Sequence, residues 1–234
     1  MQALVFDVFG TVVDWRTTVI RELEALGRAR GIERDWARFA DRWRQGYIEG
    51  FLAIIAGQKP WRLVDEIHRE RLVELLADVD AGALASDEID SLNRVWHRLD
   101  PWPDSVAGLR RLRSRYVVST LSNGNVSLLV DMAKHAGLGW DCVLSAELAG
   151  RYKPDPEMYR WAARVLGLPP EKVAMVAAHP PDLEAAKREG LRTCYVSRPD
   201  EYGPGRPPAF PVKGDEFDVH ASDLEDLAAQ LACL

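Results

Sequence analysis

Residues 1–14 read MQALVFDVFGTVVD. The apolar run Ala3-Leu4-Val5-Phe6 stops at Asp7, and Gly10-Thr11 lie just beyond it. A buried strand that ends at an acid and turns through glycine carries a carboxylate to the C-terminal edge of a sheet. Open α/β sheets build their sites at that edge. Asp7 is therefore a candidate nucleophile. Two residues further on stands Phe9, not a second acid.

Outward from this segment the pattern divides. After residue 100, strand-like runs alternate with helical ones. Residues 116–121 (YVVSTL) end at Ser122-Asn123-Gly124, and further strand runs follow at 140–145, 173–178 and 193–196. Helical patterns cover 156–166 and 182–189. Such alternation predicts βαβ units around a parallel sheet, an α/β fold. Residues 15–97 differ. Trp36, Phe39, Ala40, Trp43 and Tyr47 recur at three- and four-residue spacing, and Leu63, Ile67, Leu72, Leu75 and Leu76 continue in kind. This stretch reads as an all-helical insert directly after the first strand, leaving 1–14 and 98–234 as the core. The chain re-enters the core near Asp100-Pro101-Trp102-Pro103. The Pro/Gly-rich stretch 199–214 reads as a long surface loop.

With 234 residues the chain holds one sizeable domain, or a core with an insert. Its net charge of -6 and the absence of a basic tract argue against nucleic acid as a partner. The arginines of 110–115 read as a solvated helix face. No apolar run is long enough to span a bilayer. The first strand begins too early to leave room for a signal peptide. Cys142, Cys194 and Cys233 are far apart and lack metal-ligand spacing. Reduced thiols and a cytoplasmic location are expected.

Four motifs end predicted strands in order: Asp7-Val8-Phe9-Gly10-Thr11, Leu121-Ser122-Asn123-Gly124, Tyr152-Lys153-Pro154-Asp155, and the acid of Asp182-Leu183-Glu184-Ala185-Ala186. Together they resemble the haloacid dehalogenase superfamily across nearly the whole chain. The resemblance implies a Rossmann-like parallel-sheet core with a helical cap domain inserted after the first strand. Most of that superfamily are Mg-dependent phosphatases. Those need an acid at the place of Phe9, which cannot transfer a proton, and a metal-binding acid at the place of Ala178. Both departures point to the 2-haloacid dehalogenase branch. The chain is similar to it in the aromatic Phe9, in Trp43-Arg44-Gln45, in LSNG at 121–124, and in Tyr152-Lys153-Pro154 followed by Tyr159.

That branch uses no metal and no cofactor, and its ligand is a small halogenated carboxylate. The resemblance implies that Asp7 attacks the halogen-bearing carbon and forms an ester. Lys153 would hold Asp7 ionised, and Thr11 would hydrogen-bond it or else merely cap a turn. Ser122 would bind the substrate carboxylate. Arg44 and Asn123 would receive the halide, unless Arg44 only solvates a cap face. Phe9, Trp61 and Tyr159 are candidates for the apolar wall, with Trp61 alternatively a core ring. Asp182 would position or deprotonate water. His179 stands where the branch has asparagine, as an orienter of water, a partner of Asp182 or a structural residue. With Trp61 nearby it would narrow the pocket and favour haloacetates, fluoroacetate among them. The competing readings are a Mg-dependent phosphatase or phosphonatase and a non-catalytic binding protein on the same scaffold. A homodimer is the assembly the resemblance suggests.

Overall fold

A computed structural model describes residues 1–78, 84–206, 211–212, 214 and 216–233. Within these the strands are β1 (Ala3–Phe6), β2 (Val13–Asp14), β3 (Asp100–Pro101), β4 (Val117–Ser122), β5 (Cys142–Ser145), β6 (Val173–Ala177), β7 (Arg192–Val196) and β8 (Val219–Ala221). The helices are α1 (Trp15–Arg30), α2 (Trp36–Ile55), α3 (Val64–Ala77), α4 (Ser86–Asn93), α5 (Ser105–Arg113), α6 (Val126–Ala136), α7 (Ala146–Ala149), α8 (Pro156–Val165), α9 (Pro180–Arg188) and α10 (Leu224–Gln230). None is long and apolar enough to cross a membrane.

Six strands form one parallel sheet in the order β5-β4-β1-β6-β7-β8. All four residues of β1 are buried, as a strand covered on both faces requires. Phe6 lies opposite Thr120 on one side and Val176 on the other. The chain builds outward from β1 to β5, then returns to β6 on the other flank. The crevice at such a reversal lies beyond the C-terminal strand ends, and Asp7 is the first residue past β1.

The antiparallel pair β2–β3 sets Val13 opposite Pro101 and Asp14 opposite Asp100. The long helical excursion therefore leaves and returns side by side. Trp102 and Ser105 fasten this neck: the Trp102 indole donates to Gly10 O (2.9 Å) and the Ser105 hydroxyl to Val12 O (2.7 Å). These two-residue strands and β8 are too short to show an alternating pattern, and the sequence signals missed them.

Between β2 and β3 the described elements are helical. Asp14 caps α1 by accepting from Thr17 N, and α1 ends at Gly31 in the left-handed conformation. Asp35 caps α2 in the same way through Arg38 N. The predicted stripe of α2 is buried, and Arg44 is buried with it. Trp43 donates its indole N–H to His68 O (2.8 Å) on α3, while His68 lies between the rings of Tyr47 and Trp96. A polar cluster joins α3 to the core. His97 reaches Asp131 of α6 (2.8 Å) and Asp65 of α3 (3.1 Å), and Asn125 donates to Asp65 (2.9 Å).

Two surface expectations change. Arg111 and Arg115 are not merely solvated: they donate to the carbonyls of Cys233, Leu231 and Ala232 and so hold the chain end. The loop after β7 is not wholly superficial. Arg198 donates to Thr11 O (2.9 Å) and forms a bidentate pair with Asp104 (2.8 and 2.7 Å). That anchor turns Glu201 inward, to 4% exposure. Of the expected loop, residues 207–210 and 213 lie outside the described residues.

Candidate active site

Asp7 sits at the end of β1, 8% exposed, and its two oxygens are treated differently. Oδ1 accepts from the Lys153 ammonium at 3.0 Å. Oδ2 accepts from the Thr11 hydroxyl at 2.8 Å and lies 2.9 Å from His179 Nδ1. Ala178 N donates to Thr11 Oγ1 (2.9 Å), which leaves the hydroxyl proton for Asp7. Thr11 is thus a ligand of the carboxylate rather than a cap. Burial opposes ionisation of Asp7. The neighbouring Lys153 and His179 outweigh it and hold the carboxyl well below the usual carboxylate range.

Lys153 lies between two acids. Its ammonium also donates to Asp182 in the first turn of α9. Burial works against the charge, but Asp182 and Asp7 keep the ammonium protonated. Asn123 fixes the lysine's backbone: its carbonyl accepts from Lys153 N (2.7 Å) and its amide donates to Lys153 O (3.3 Å). The Asn123 side chain also hydrogen-bonds the Tyr47 hydroxyl. Burial, together with the charge of Asp7, pushes the Asp182 carboxyl above its ordinary value against the pull of Lys153.

Arg44 enters from α2, 8% exposed, with its guanidinium 5.4 Å from the Phe9 and Trp15 ring centres and 4.9 Å from that of Tyr47. Its Nε and one terminal nitrogen are buried without a hydrogen-bond partner. Asp7, Phe9, Arg44, Asn123, Lys153 and Asp182 line one cavity of about 690 Å³, walled on its apolar side by Tyr47, Ile48, Phe51 and Leu52. Buried donors left unsatisfied are costly, and an anion in the cavity could offset that cost. The surface reading of Arg44 fails on its burial.

Three expected residues take other places. Trp61 is 38% exposed, stacks on Tyr152 (4.6 Å between centres) and does not line the cavity. Tyr159 is no part of the apolar wall either. Its hydroxyl donates to Asp182 Oδ1 at 2.5 Å and so aims that acid. Ser122 is fully buried, its oxygen taken by Gly124 N (3.2 Å), and it too lies off the cavity lining. His179 pairs with Asp7 and Glu201, not with Asp182.

Glu201 was missed. Its oxygens lie 3.1 and 3.0 Å from His179 Nε2, and Oε1 accepts from the Trp15 indole (3.1 Å). The signal that could have found it is Gly10. Gly10 has φ +83°, and a Cβ there would stand 2.2 Å from Glu201 Oε1. Only glycine both adopts that backbone and admits the carboxylate.

This geometry agrees with comparisons to known proteins. A family model described as haloacid dehalogenase-like hydrolase matches residues 1–190. The chain belongs to that family. It is 30% identical to (S)-2-haloacid dehalogenase 4A of Burkholderia cepacia, with 98% of this chain and 96% of that one aligned. Two solved structures superpose with a TM-score of 0.94. One is the defluorinating L-2-haloacid dehalogenase Rha0230, 44% identical, covering 100% of this chain and 96% of its own. The other is the L-2-haloacid dehalogenase PA0810, 45% identical, covering 99% of each. The enzyme is a hydrolase that acts on carbon–halogen bonds.

Proposed function

We propose that the enzyme hydrolyses 2-haloacids through an ester on Asp7, without a metal. The carrying observation is that Arg44, two of whose guanidinium nitrogens lack a hydrogen-bond partner, lines the same cavity as Asp7, whose oxygens are held by Lys153, Thr11 and His179. Asp7 Oδ1 bears one donor and Oδ2 two, so Oδ1 is the better nucleophile. It attacks C2 in line; the C–X bond breaks and halide leaves with the electron pair toward Arg44, beside the Asn123 amide. Charge growing on the halogen meets a preorganised cation in an apolar cage, where such stabilisation is strongest. His179 is no third halide donor, since both its nitrogens face carboxylates.

Water then attacks Cγ of Asp7 and yields its proton to Asp182, which Tyr159 and Lys153 orient. The C–O bond from Cγ to Oδ1 breaks. Lys153, bonded to Oδ1, protonates the departing hydroxy acid and recovers its proton from Asp182. Asp7, left as the carboxylic acid with the water oxygen, loses its remaining proton to solvent and returns to the carboxylate; the net change is 2-haloacid plus water to 2-hydroxy acid, halide and a proton.

A phosphatase would need a proton donor where Phe9 packs on Arg44. The positive charge between Asp7 and Asp182 is supplied here by Lys153. Haloacetates are proposed substrates, and fluoroacetate with them, a reading that the defluorinating relative supports. With Trp61 outside it, a cavity of about 690 Å³ has room for longer 2-haloacids as well. The test is halide release from chloroacetate, fluoroacetate and 2-chloropropionate before and after exhaustive chelation. Unchanged turnover supports the proposal. Activity abolished by chelation and restored by Mg²⁺, or brisk Mg-dependent phosphate release from phosphate esters, would refute it.

A further inference from the structure

The mechanism above leaves one buried acid unused. Glu201 lies at the bottom of the site and touches neither Asp182 nor the space where a substrate would meet Asp7. It is held by design: Arg198 anchors its loop, Trp15 donates to it, and Gly10 makes room for it. Its largest electrostatic partner is His179; Arg44 and the Tyr202 hydroxyl also act on it.

His179 stands between two carboxylates, with Asp7 Oδ2 at 2.9 Å from Nδ1 and Glu201 at 3.0 and 3.1 Å from Nε2. Carboxylates only accept hydrogen bonds, so a ring between two of them satisfies both by carrying both protons. An imidazolium has no lone pair with which to take a proton from water. His179 is therefore a donor, and what it donates to is Oδ2. When Oδ1 becomes the ester oxygen, Oδ2 becomes the carbonyl oxygen. Attack by water at Cγ then places the negative charge of the tetrahedral intermediate on Oδ2. Two donors already face that atom: the Thr11 hydroxyl, oriented by Ala178 N, and the His179 ring.

We infer that His179 and Thr11 form the oxyanion site for hydrolysis of the Asp7 ester, with Glu201 a positioning residue that keeps His179 charged and aimed. This rests on the covalent reading above and assigns its second step. The bonds are those already given; the pair adds no proton transfer, only charge stabilisation where charge develops.

The groups facing His179 are Asp7 after β1, Glu201 and Tyr202 after β7, Arg44 from α2, and Lys153 and Asp182 across the cavity. Burial disfavours the charged ring, but Glu201 and Asp7 push it up to about 10. Glu201 in turn is held below its ordinary value by His179 despite its burial. At neutral pH the pair is ionised.

Glu201→Gln keeps the shape and removes the charge. Without that partner His179 loses its proton at lower pH. The two chemical steps then separate: halide release in the first turnover stays within a few-fold of wild type, because Lys153 and Arg44 are untouched. Steady-state turnover falls about tenfold or more at pH 9 and recovers toward pH 6, a size set by the loss of one charged donor. The ester on Asp7 accumulates, seen by mass spectrometry of quenched enzyme. His179→Asn, which leaves a neutral donor, accumulates ester with no such pH recovery. If Glu201→Gln slows halide release and turnover together, or keeps the wild-type pH profile, the inference is overturned while the covalent reading stands. If quenched wild type and both variants never show the ester, the covalent reading fails and this inference with it.

Discussion

Arg44 offers the sharpest perturbation, because function and folding are expected to respond oppositely. Its guanidinium is buried, and Nε and one terminal nitrogen lack partners. Three rings lie 4.9–5.4 Å away. Cation–π attraction contributes about 0.5–2 kcal/mol per favourable ring. Desolvation of the charge costs several kcal/mol, on the order of the whole ring contribution. Arg44 therefore adds little net stability, and Arg44→Met, which fills the space with apolar atoms, should leave the protein as stable or more so. Its catalytic contribution is different. A preorganised donor at a developing charge is worth about a hundredfold to a thousandfold in kcat, roughly 2.7–4 kcal/mol. Single-turnover chloride release from 2-chloropropionate, with thermal unfolding measured in parallel, reads both quantities. A hundredfold slower release with an unchanged or higher Tm is expected. Release within a few-fold of wild type, or a loss of several kcal/mol in stability, would refute the reasoning.

Other expectations follow from particular contacts. Tyr159→Phe removes the hydroxyl on Asp182; a hydrogen bond to a charged group is worth about 1.5–3 kcal/mol, so ester hydrolysis should slow by about tenfold to a hundredfold while first-turnover halide release stays near wild type. Trp61→Ala should change kcat and KM less than about threefold, the small effect usual for exposed sites; a large loss in steady-state assays would mean that the ring reaches the substrate. His97, between Asp65 and Asp131, has its imidazole raised above 6.5 by those acids against the effect of burial. A group raised on folding stabilises fully below its unfolded pKa, and that contribution is lost as pH rises through the folded value. Denaturant midpoints should therefore fall across that range in wild type and show no such fall in His97→Gln.

Much of this fold could be read in the chain because its deciding segments are local. Four consecutive apolar residues before Asp7 admit little but a buried central strand, and the α2 stripe of Trp36, Phe39, Trp43 and Tyr47 admits little but a packed helix. Asp7 was legible because it ends a run of clear pattern, and Thr11, Lys153 and Asp182 through the resemblance that their motifs carry. The misses are long-range. Glu201 lies in an irregular loop whose inward turn depends on Arg198 meeting Asp104 and Thr11, partners about ninety and nearly two hundred residues away in sequence. Tyr159 and Trp61 are aromatic residues whose roles depend on which neighbour the tertiary fold provides, Asp182 for one and Tyr152 for the other. His179 could be placed in the site from its position, but its two carboxylate partners, and with them its charge, required the geometry.

The central claim is that Asp7 itself becomes the ester and that water attacks its Cγ. With enzyme in excess over (S)-2-chloropropionate in ¹⁸O-water, the hydroxyl oxygen of the first product comes from Asp7 Oδ1. The first turnover should therefore place label in Asp7 and none in lactate, with inversion at C2. Label in the lactate of that first turnover, with Asp7 unlabelled, would mean that water attacks the substrate directly and that Asp7 acts only as a base.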